Sequence, residues 1–348
     1  MNVNKKEWNN WKWQYQNSKT NYNLNIITFG ARITPYYENL IDWNDENCPI
    51  KKQAVPSKQE EINKIDYTSY GINIEDSLSE EQFSPVPNLI HRYPDRALLL
   101  VTNNCFMYCR FCTRKRVTGV ECKKRNLDEA INYIEKNKDI RDVLLSGGDP
   151  LTMEDYEIEE ILIKLRRIKH VEILRIGTRA PVVLPMRITD SLVLMLKKYQ
   201  PIWVNTHFNH PKELTIEARI ACHKIIDSGI PMCNQSVLLK GVNDNINIFQ
   251  ELCLELIQNR VRPYYLYQCD LGPGMDHFRT RVDIGINIIR QLMQSVTGFA
   301  IPTYVIDAPN GGGKIPVNLD YIKEKTKDKI ILQNNKGQCF TYVEVLEE

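Results

Sequence analysis

The sequence lacks an excess of charge of either sign, and it lacks any long hydrophobic run. Its 348 residues carry 45 Lys and Arg against 43 Asp and Glu, which gives a formal net charge of +2. Without a strong basic field, binding to nucleic acid or to an anionic membrane surface is not expected. No stretch of 18 consecutive apolar residues occurs, and the first residues do not form the apolar run of a secretory signal. We therefore expect a cytoplasmic protein that does not enter the membrane.

Solenoid-type repeats and low-complexity tracts are also missing. A hydrophobic content of 43% and a charged content of 25% are ordinary for a globular protein, so a sizeable core is expected. At roughly 150 residues per domain, the length predicts two domains, or one barrel-sized domain with an appendage.

The ten cysteines are the unusual feature of the composition. In a reducing cytoplasm, disulfides are a less favoured use of them than metal binding or catalysis. Three cysteines lie within eight residues, whereas the other seven are scattered and are expected to be small buried hydrophobic residues. The scattered set is Cys48, Cys122, Cys222, Cys233, Cys253, Cys269 and Cys339.

The pattern of the chain changes near residue 90. Residues 1–90 are rich in polar residues with little periodicity and predict a helical and loop layer without its own core. Residues 91–300 alternate short apolar runs with amphipathic stretches, which predicts βα units and a parallel sheet. The expected fold is an α/β partial (β/α)6 TIM-like barrel. The predicted strands are Ala97–Thr102, Val143–Ser146, Val171–Gly177, Ile202–Phe208, Met232–Leu239 and Pro263–Asp270.

Polar residues stand where these predicted strands stop, and the C-terminal strand ends of parallel α/β folds carry active sites. The pattern therefore indicates an enzyme. Residues 301–348 are expected to form a short extension with a strand over Pro302–Asp307, a glycine run ending at Lys314, and a terminal hairpin. The strand-end residues are Cys105, Ser146, Thr178, His207, Gln235 and Asp270.

The cysteine cluster follows the first predicted barrel strand as Cys105-Phe-Met-Tyr-Cys109-Arg-Phe-Cys112. Structural zinc sites normally use four ligands, so zinc would require a fourth, such as Cys122. A [4Fe–4S] cluster held by three cysteines leaves one iron open to chelate an amino and a carboxylate group. That arrangement, with an aromatic residue before the last cysteine, is typical of the radical S-adenosylmethionine (SAM) superfamily.

The second predicted strand ends in Ser146-Gly147-Gly148-Asp149. Glycines let the backbone approach a ligand closely, and Asp149 or a backbone carbonyl can accept a hydrogen bond from the methionine ammonium of SAM. The alternative is an ordinary strand–turn–helix junction capped by Asp149.

From His91 to Pro316 the chain resembles the lysine 2,3-aminomutase family of radical SAM enzymes. The resemblance is carried by HRYPDRALLLVTNNCFMYCRFCTRKR, LLSGGDPL, RIGTRAPVVLPMRIT, THFNHPKE, NQSVLLKGVND, RPYYLYQCD and IDAPNGGGKIPV. It implies the radical SAM type of barrel, a 4Fe-4S cluster held by the three cysteines, SAM and pyridoxal 5'-phosphate (PLP). The implied reaction moves an α-amino group to the β-carbon.

The resemblance also implies roles for single residues. Lys314 would form the internal aldimine with PLP, and Asn310 replaces the first glycine of the family's four-glycine run before it. Arg92 and Arg96 match positions that contact the PLP phosphate. Arg114 matches the arginine that binds the substrate carboxylate.

The far end of the substrate would be held by Asp270 and Asp307, which match two aspartates that bind the side-chain ammonium of lysine. Family members acting on glutamate carry Lys and Asn there, so a glutamate substrate is disfavoured. His207 and His210 are second-rank site candidates. The implied activity is interconversion of L-lysine and L-β-lysine, an isomerase reaction.

Several alternatives stay open. Arginine or a protein-bound lysine would also present a cation to the two aspartates. A radical SAM enzyme without PLP and a non-catalytic iron–sulfur module are the more distant alternatives.

The family also suggests what surrounds the reaction. The implied electron donor is a reduced flavodoxin or ferredoxin-type protein, and a homo-oligomer is compatible with the sequence. Longer family members bind zinc through a cysteine after the GVND motif and a C-terminal cysteine cluster. Here Asn245 follows GVND and the tail holds only Cys339, so zinc is predicted absent.

Overall fold

The computed structural model describes residues 5–20, 29–62, 65–120, 125–334 and 337–345. Nine strands form one sheet in the order β1 to β9, and three more form a separate small sheet. The strands are β1 Leu89–Tyr93, β2 Arg96–Thr102, β3 Asp142–Gly147, β4 Ile173–Gly177, β5 Ile202–Thr206, β6 Met232–Leu238, β7 Arg262–Gln268, β8 Thr303–Ala308, β9 Gly313–Pro316, β10 Ile322–Lys325, β11 Lys329–Gln333 and β12 Cys339–Val343. The helices are α1 Lys5–Trp8, α2 Trp11–Gln16, α3 Pro35–Glu38, α4 Pro49–Ala54, α5 Asp128–Lys136, α6 Asp155–Arg166, α7 Ala180–Val183, α8 Asp190–Lys197, α9 Ile216–Asp227, α10 Ile246–Gln258 and α11 Val282–Ser295.

The large sheet is a nearly closed barrel of the α/β class, as expected. Strands β2 to β8 run parallel, and β1 and β9 add one antiparallel strand at each edge. The six predicted barrel strands are confirmed as β2 to β7. The sheet has a seventh parallel strand, because the strand expected in the C-terminal extension pairs with β7 as β8.

Local sequence signals explain where the helices begin. Glu154 and Glu157 form a reciprocal capping box at the start of α6. Thr189 and Thr215 accept backbone hydrogen bonds as N-caps of α8 and α9. Asn245, where longer family members have a cysteine, caps α10 by accepting from the Asn247 amide at 2.9 Å.

Side chains alternate between two environments along the barrel strands. On β3, Val143 and Leu145 are fully buried against the helices, whereas Leu144 and Ser146 line a cavity inside the barrel. TIM barrels fill that space with layers of inward side chains. Here the interior stays open and can hold ligands.

The N-terminal layer packs over the C-terminal ends of the strands, where active sites form. Its Ile33 and Ile50 belong to the same apolar core as the barrel. It is tied to the cysteine loop by Arg110, which is fully buried and forms a two-point ion pair with Glu60. The Arg110 Nε–Glu60 Oε1 and Nη2–Oε2 distances are 2.9 and 2.6 Å.

The C-terminal hairpin is confirmed as β11 and β12, and β10, which the sequence did not predict, completes a small antiparallel sheet. Five scattered cysteines are buried as expected, but Cys339 lies exposed on β12, so the expectation is wrong for that residue. Cys122 lies outside the described residues. No helix in the described part of the chain combines the length and apolar character needed to cross a bilayer.

The Arg110–Glu60 pair is expected to be critical for stability. In Glu60→Gln the guanidinium stays buried without a counter-charge, which costs about 3–5 kcal/mol. Denaturant unfolding of the variant measures this loss. The matched control is Glu172→Gln, because the Arg141–Glu172 pair is 62% and 52% exposed; its loss costs less than about 1 kcal/mol. Equal effects of the two substitutions would contradict the prediction.

Candidate active site

A cavity of about 820 Å³ occupies the barrel interior and reaches the C-terminal strand ends. Every residue singled out from the sequence for a site lines this cavity, except His210. The shared lining consists of Cys105, Cys109, Cys112, Arg92, Arg96, Arg114, Ser146, Gly147, Gly148, Asp149, His207, Asp270, Asp307 and Lys314. Residues separated by more than 200 positions in sequence therefore line the same cavity.

The cysteine loop leaves the end of β2 and is held from outside. The Arg110 amide donates to the Gln53 carbonyl at 3.0 Å, and the Arg110 side chain is anchored on Glu60. Phe111 packs between the rings of His207 and Phe278, with centroid distances of 5.4 and 6.2 Å. The loop thus has a fixed shape before any ligand binds.

The three thiols suit a metal cluster better than free thiol chemistry. Burial and the neighbouring cysteines raise the pKa of Cys105 and of Cys112, so both stay protonated at neutral pH unless a cation stabilises the thiolate. All three cysteines line the same cavity, and a four-iron cluster takes cysteine thiolates as separate ligands.

The glycine turn after β3 is shaped by packing against the cysteine loop. Gly147 has φ +127°, and side chains at Gly147 and Gly148 would collide with the backbone oxygens of Thr102 and Asn104. The Asp149 carboxylate accepts from the Leu151 amide, the Thr178 hydroxyl and the Arg179 amide at 2.7–3.0 Å. Both carboxylate oxygens therefore cap the protein's own structure, which favours the strand–turn–helix role for Asp149.

Lys314 lies on an edge strand and not within the glycine loop. The turn before it is entered by Asn310 at φ +57°, a conformation that Asn tolerates better than most residues, so the missing glycine is a mild change. Strand β9 pairs Lys314 opposite Asp307 on β8, and the Lys314 Nζ–Asp307 Oδ2 distance is 3.1 Å. The Lys314 backbone amide donates to the Tyr93 hydroxyl at 2.9 Å.

Asp307 has a second cationic partner. Arg92 Nη1 lies 3.2 Å from Asp307 Oδ1, and Arg92 Nη2 donates to the Leu78 carbonyl. The Arg92 guanidinium is thus already engaged on two acceptors. Arg96 behaves differently, because its side chain is 44% exposed and packs over the Tyr93 ring at 4.2 Å.

Asp270 is the carboxyl with the most perturbed acidity in the cavity. Burial, followed by the negative charge of Asp307, raises its pKa from 3.8 to about 7, although Lys314 and Arg92 act in the opposite direction. An additional cation close to Asp270 would therefore bind favourably and would ionise it.

Arg114 is held by Glu80 from the N-terminal layer. Arg114 Nε and Nη2 donate to Glu80 Oε1 at 2.9 and 2.6 Å. Burial acts against ionisation of Glu80, but Arg114, together with Arg116 and Arg92, outweighs it and holds the pKa of Glu80 below its usual range. The Nη1 side of the fork remains for a second carboxylate in the cavity.

The two candidate histidines, His207 and His210, lie in different environments. His210 Nδ1 caps the turn at Pro211 by accepting from the Lys212 amide at 3.1 Å, which is a structural role. His207 faces the cavity, and burial together with Arg179 lowers its pKa to about 3, so the ring is neutral. Its Nε2 is buried and has no hydrogen-bond partner in the described part of the chain, which leaves it available to a ligand.

Sequence reasoning missed Glu80 and Arg179. Glu80 sits in a polar segment without a motif, so no local signal marked it. Arg179 lay inside the RIGTRAPVVLPMRIT motif but was not singled out, although its Nη1 lies 2.9 Å from the Cys109 sulfur. The signal that the sequence offered was its position, because Arg179 stands two residues after the end of a predicted barrel strand.

The sequence of the chain is similar to those of known proteins. Two family models match the chain, one described as "Radical SAM superfamily" over residues 99–252 and one as "Lysine-2,3-aminomutase" over residues 289–347. The L-lysine 2,3-aminomutase of Fusobacterium nucleatum subsp. nucleatum is 49% identical over 99% of this chain and 84% of its own length. That of Clostridium subterminale is 49% identical over 98% of this chain and 86% of its own length. The glutamate 2,3-aminomutase of Clostridioides difficile is 41% identical over 97% and 83%.

Asp270 is expected to make stability depend on pH. The unfolded carboxyl titrates near 3.8 and the folded one near 7. The folded state therefore binds the proton more tightly, and stability is lost as pH rises from 3.8 through about 7, by roughly 4 kcal/mol at most. In Asp270→Asn this loss disappears, so the ligand-free variant has a higher Tm than wild type above pH 7 and the difference shrinks toward acid pH.

Thermal unfolding of both proteins across this pH range measures the difference, and titration of His207 cancels because both proteins contain it. Asp95→Asn, at a 59% exposed position, is the control and should track wild type. A Tm difference for Asp270→Asn that does not change with pH would refute the assignment.

Proposed function

Since the chain belongs to the lysine 2,3-aminomutase family of radical SAM enzymes, we propose that it interconverts L-lysine and L-β-lysine. The observation that carries this proposal is the composition of one cavity. Three cysteine thiols, a lysine amine, an arginine fork and a pair of aspartates line the same space. These groups match, respectively, the cluster, PLP and the two charged ends of lysine.

The radical SAM superfamily implies a 4Fe-4S cluster and SAM, and PLP is the further cofactor of this proposal. When bound, the cluster and SAM supply a hydrogen-abstracting carbon radical, and PLP supplies the π-system through which nitrogen migrates. Cys105, Cys109 and Cys112 would hold three irons and leave the fourth open to SAM. The protein's part is to hold these groups in line and to exclude other reactions.

The proposed SAM contacts come from the turn after β3 and from His207. The Asp149 carboxylate already accepts hydrogen bonds from backbone amides of the protein. The backbone carbonyls of Ser146, Gly147 and Gly148 are therefore the better acceptors for the methionine ammonium. The unpartnered His207 Nε2, neutral at physiological pH, is suited to a polar atom of the same ligand.

Lys314 is the proposed attachment point for PLP. Its Nζ lies 3.1 Å from Asp307 Oδ2, and an amine must be unprotonated to react with a carbonyl. If PLP were attached at Lys314, this ion pair would be lost and Arg92 would remain beside Asp307. Asp307 could then accept the ammonium of a substrate.

Arg96, Arg175 and Arg262 line the cavity and are the candidates for the PLP phosphate. Two of them have carboxylate neighbours, since Arg96 lies 3.7 Å from Asp95 and Arg175 lies 2.8 Å from Asp142. Arg92 can contribute to the proposed phosphate site only with donors that it does not already use. Its guanidinium donates to Asp307 and to the Leu78 carbonyl.

The two ends of lysine would be read by opposite charges. Arg114, oriented by Glu80, offers a fork to the α-carboxylate. Asp270 and Asp307 offer paired carboxylates to the side-chain ammonium, and a cation there would return Asp270 to its ionised form. A side-chain carboxylate would be repelled, which disfavours glutamate.

Arginine is the second candidate substrate, because its guanidinium is also a cation and the paired aspartates would accept it. A protein-bound lysine fits less well. Its α-carboxylate is part of a peptide bond, so it would offer Arg114 no second carboxylate beside Glu80.

The decisive experiment is a substrate panel. Reconstituted protein with reductant, SAM and PLP is incubated without oxygen with lysine, arginine or glutamate, and β-amino products are detected by mass spectrometry. We expect β-lysine from lysine and no product from glutamate. Cys109→Ser is the inactive control. Product from arginine alone would show that the substrate assignment is wrong while the reaction class survives.

Lys314→Ala tests the PLP assignment. The variant is expected to lose the visible absorbance of covalently bound PLP and at least about 100-fold in turnover, the scale for a lost positioned catalytic group. Lys240→Ala, an exposed lysine outside the cavity, is the control and should keep both. Unchanged absorbance in Lys314→Ala would favour a radical SAM enzyme that does not attach PLP at this residue.

A further inference from the structure

The cysteine sulfurs differ in the hydrogen bonds that they receive. Cys109 Sγ accepts from the charged guanidinium of Arg179, with an Nη1–Sγ distance of 2.9 Å. Cys112 Sγ is 3.8 Å from the neutral hydroxyl of Thr118. The Cys109 sulfur is therefore in direct contact with a positive charge.

Arg179 is fixed in this position by acceptors from several parts of the fold. Its Nε donates to the His207 carbonyl at 3.1 Å, and its Nη2 donates to Gln53 Oε1 at 2.6 Å. Its guanidinium also lies over the Phe111 ring, 5.3 Å from the centroid. Because Arg179 is only 8% exposed, its charge is shielded from solvent. These contacts together hold the charge beside Cys109.

Glu213 neutralises Arg179 from another direction. Arg179 Nη2 lies 2.8 Å from Glu213 Oε1, and the fully buried Glu213 also accepts from the Tyr37 hydroxyl at 2.6 Å and the Asn209 amide at 2.6 Å. The buried pair thus forms a fixed dipole whose positive end touches the sulfur of Cys109.

Fixed charges of this kind influence electron transfer. A cluster that accepts one electron gains one negative charge, and its potential depends on net charge, hydrogen bonds to sulfur and solvent exposure. A cation held against a ligand sulfur in a region of low dielectric stabilises the reduced form more than the oxidised form.

We propose that Arg179 raises the reduction potential of the cluster held by Cys109, and that Glu213 moderates this effect. The inference rests on the cluster assignment of the proposed function. In the step concerned, the oxidised cluster takes one electron from an external low-potential donor, and no bond forms or breaks. Arg179 thereby brings the cluster within reach of that donor.

Two substitutions are expected to shift the potential in opposite directions. In Arg179→Gln the cation is lost, so the potential of the reconstituted cluster becomes more negative. In Glu213→Gln the counter-charge is lost while Arg179 remains, so the potential becomes more positive. A purely structural role would predict no such opposition, since both changes disturb the same network.

The measurement is a potentiometric titration of the SAM-free protein followed by electron paramagnetic resonance, after iron and sulfide analysis has verified a full cluster. The control is Arg187→Gln, a buried arginine that donates to the Leu151 and Met153 carbonyls and is expected to leave the potential unchanged.

Potentials for Arg179→Gln and Glu213→Gln that both equal that of the control would overturn the proposal. If Arg179→Gln assembles no cluster, the positive shift in Glu213→Gln decides by itself, and its absence overturns the proposal. Wild-type protein without a four-iron cluster would overturn it as well. The titration contains no amino acid, so a failed lysine assay with the opposed shifts present would refute only the substrate assignment.

Discussion

An open barrel interior is the constraint on which the rest of this structure depends. A barrel that holds ligands cannot be stabilised by inward side chains stacked as a core. Its strands must be secured by their outer faces and by contacts at the strand ends. The N-terminal layer supplies such contacts, which explains why nearly 90 residues precede the first barrel strand without forming a core of their own.

Buried ion pairs make many of the contacts that secure the strands. Arg110–Glu60 joins the layer to the cysteine loop, Arg92–Asp307 joins β1 to β8, and Arg179–Glu213 joins the segments that follow β4 and β5. A buried pair is favourable only when further hydrogen bonds satisfy it. Arg110 meets this condition through the Phe29 and Gly30 carbonyls at 3.1 and 2.7 Å, as Glu213 does through backbone amides. The polar interior is thus a connected framework.

Strands β2 to β7 could be predicted from the sequence, because they are apolar runs that end in polar residues. Most candidate site residues rest on the motif resemblance; the structure places them around one cavity, and their roles stay predictions. The charged residues that contact these side chains could not be predicted. Arg114 and Glu80 are 34 residues apart and Cys109 and Arg179 are 70 apart, so no periodicity links them. The role of Asp149 as a cap became apparent only from its three donors. The edge strand β9 was read as a loop because four residues with an adjacent glycine run carry little strand signal.

The seam between the sheet edges has a consequence for how the barrel is loaded. Strands β1 and β9 are not neighbours in the hydrogen-bonded order of the sheet. The Tyr93 hydroxyl on β1 accepts from the Lys314 amide on β9, and Arg92 on β1 pairs with Asp307 on β8, the strand next to that edge. Separating these edges breaks a few side-chain contacts and leaves every backbone ladder intact. Cofactor entry through the seam would therefore demand a local hinge movement of the chain, with no strand unfolding.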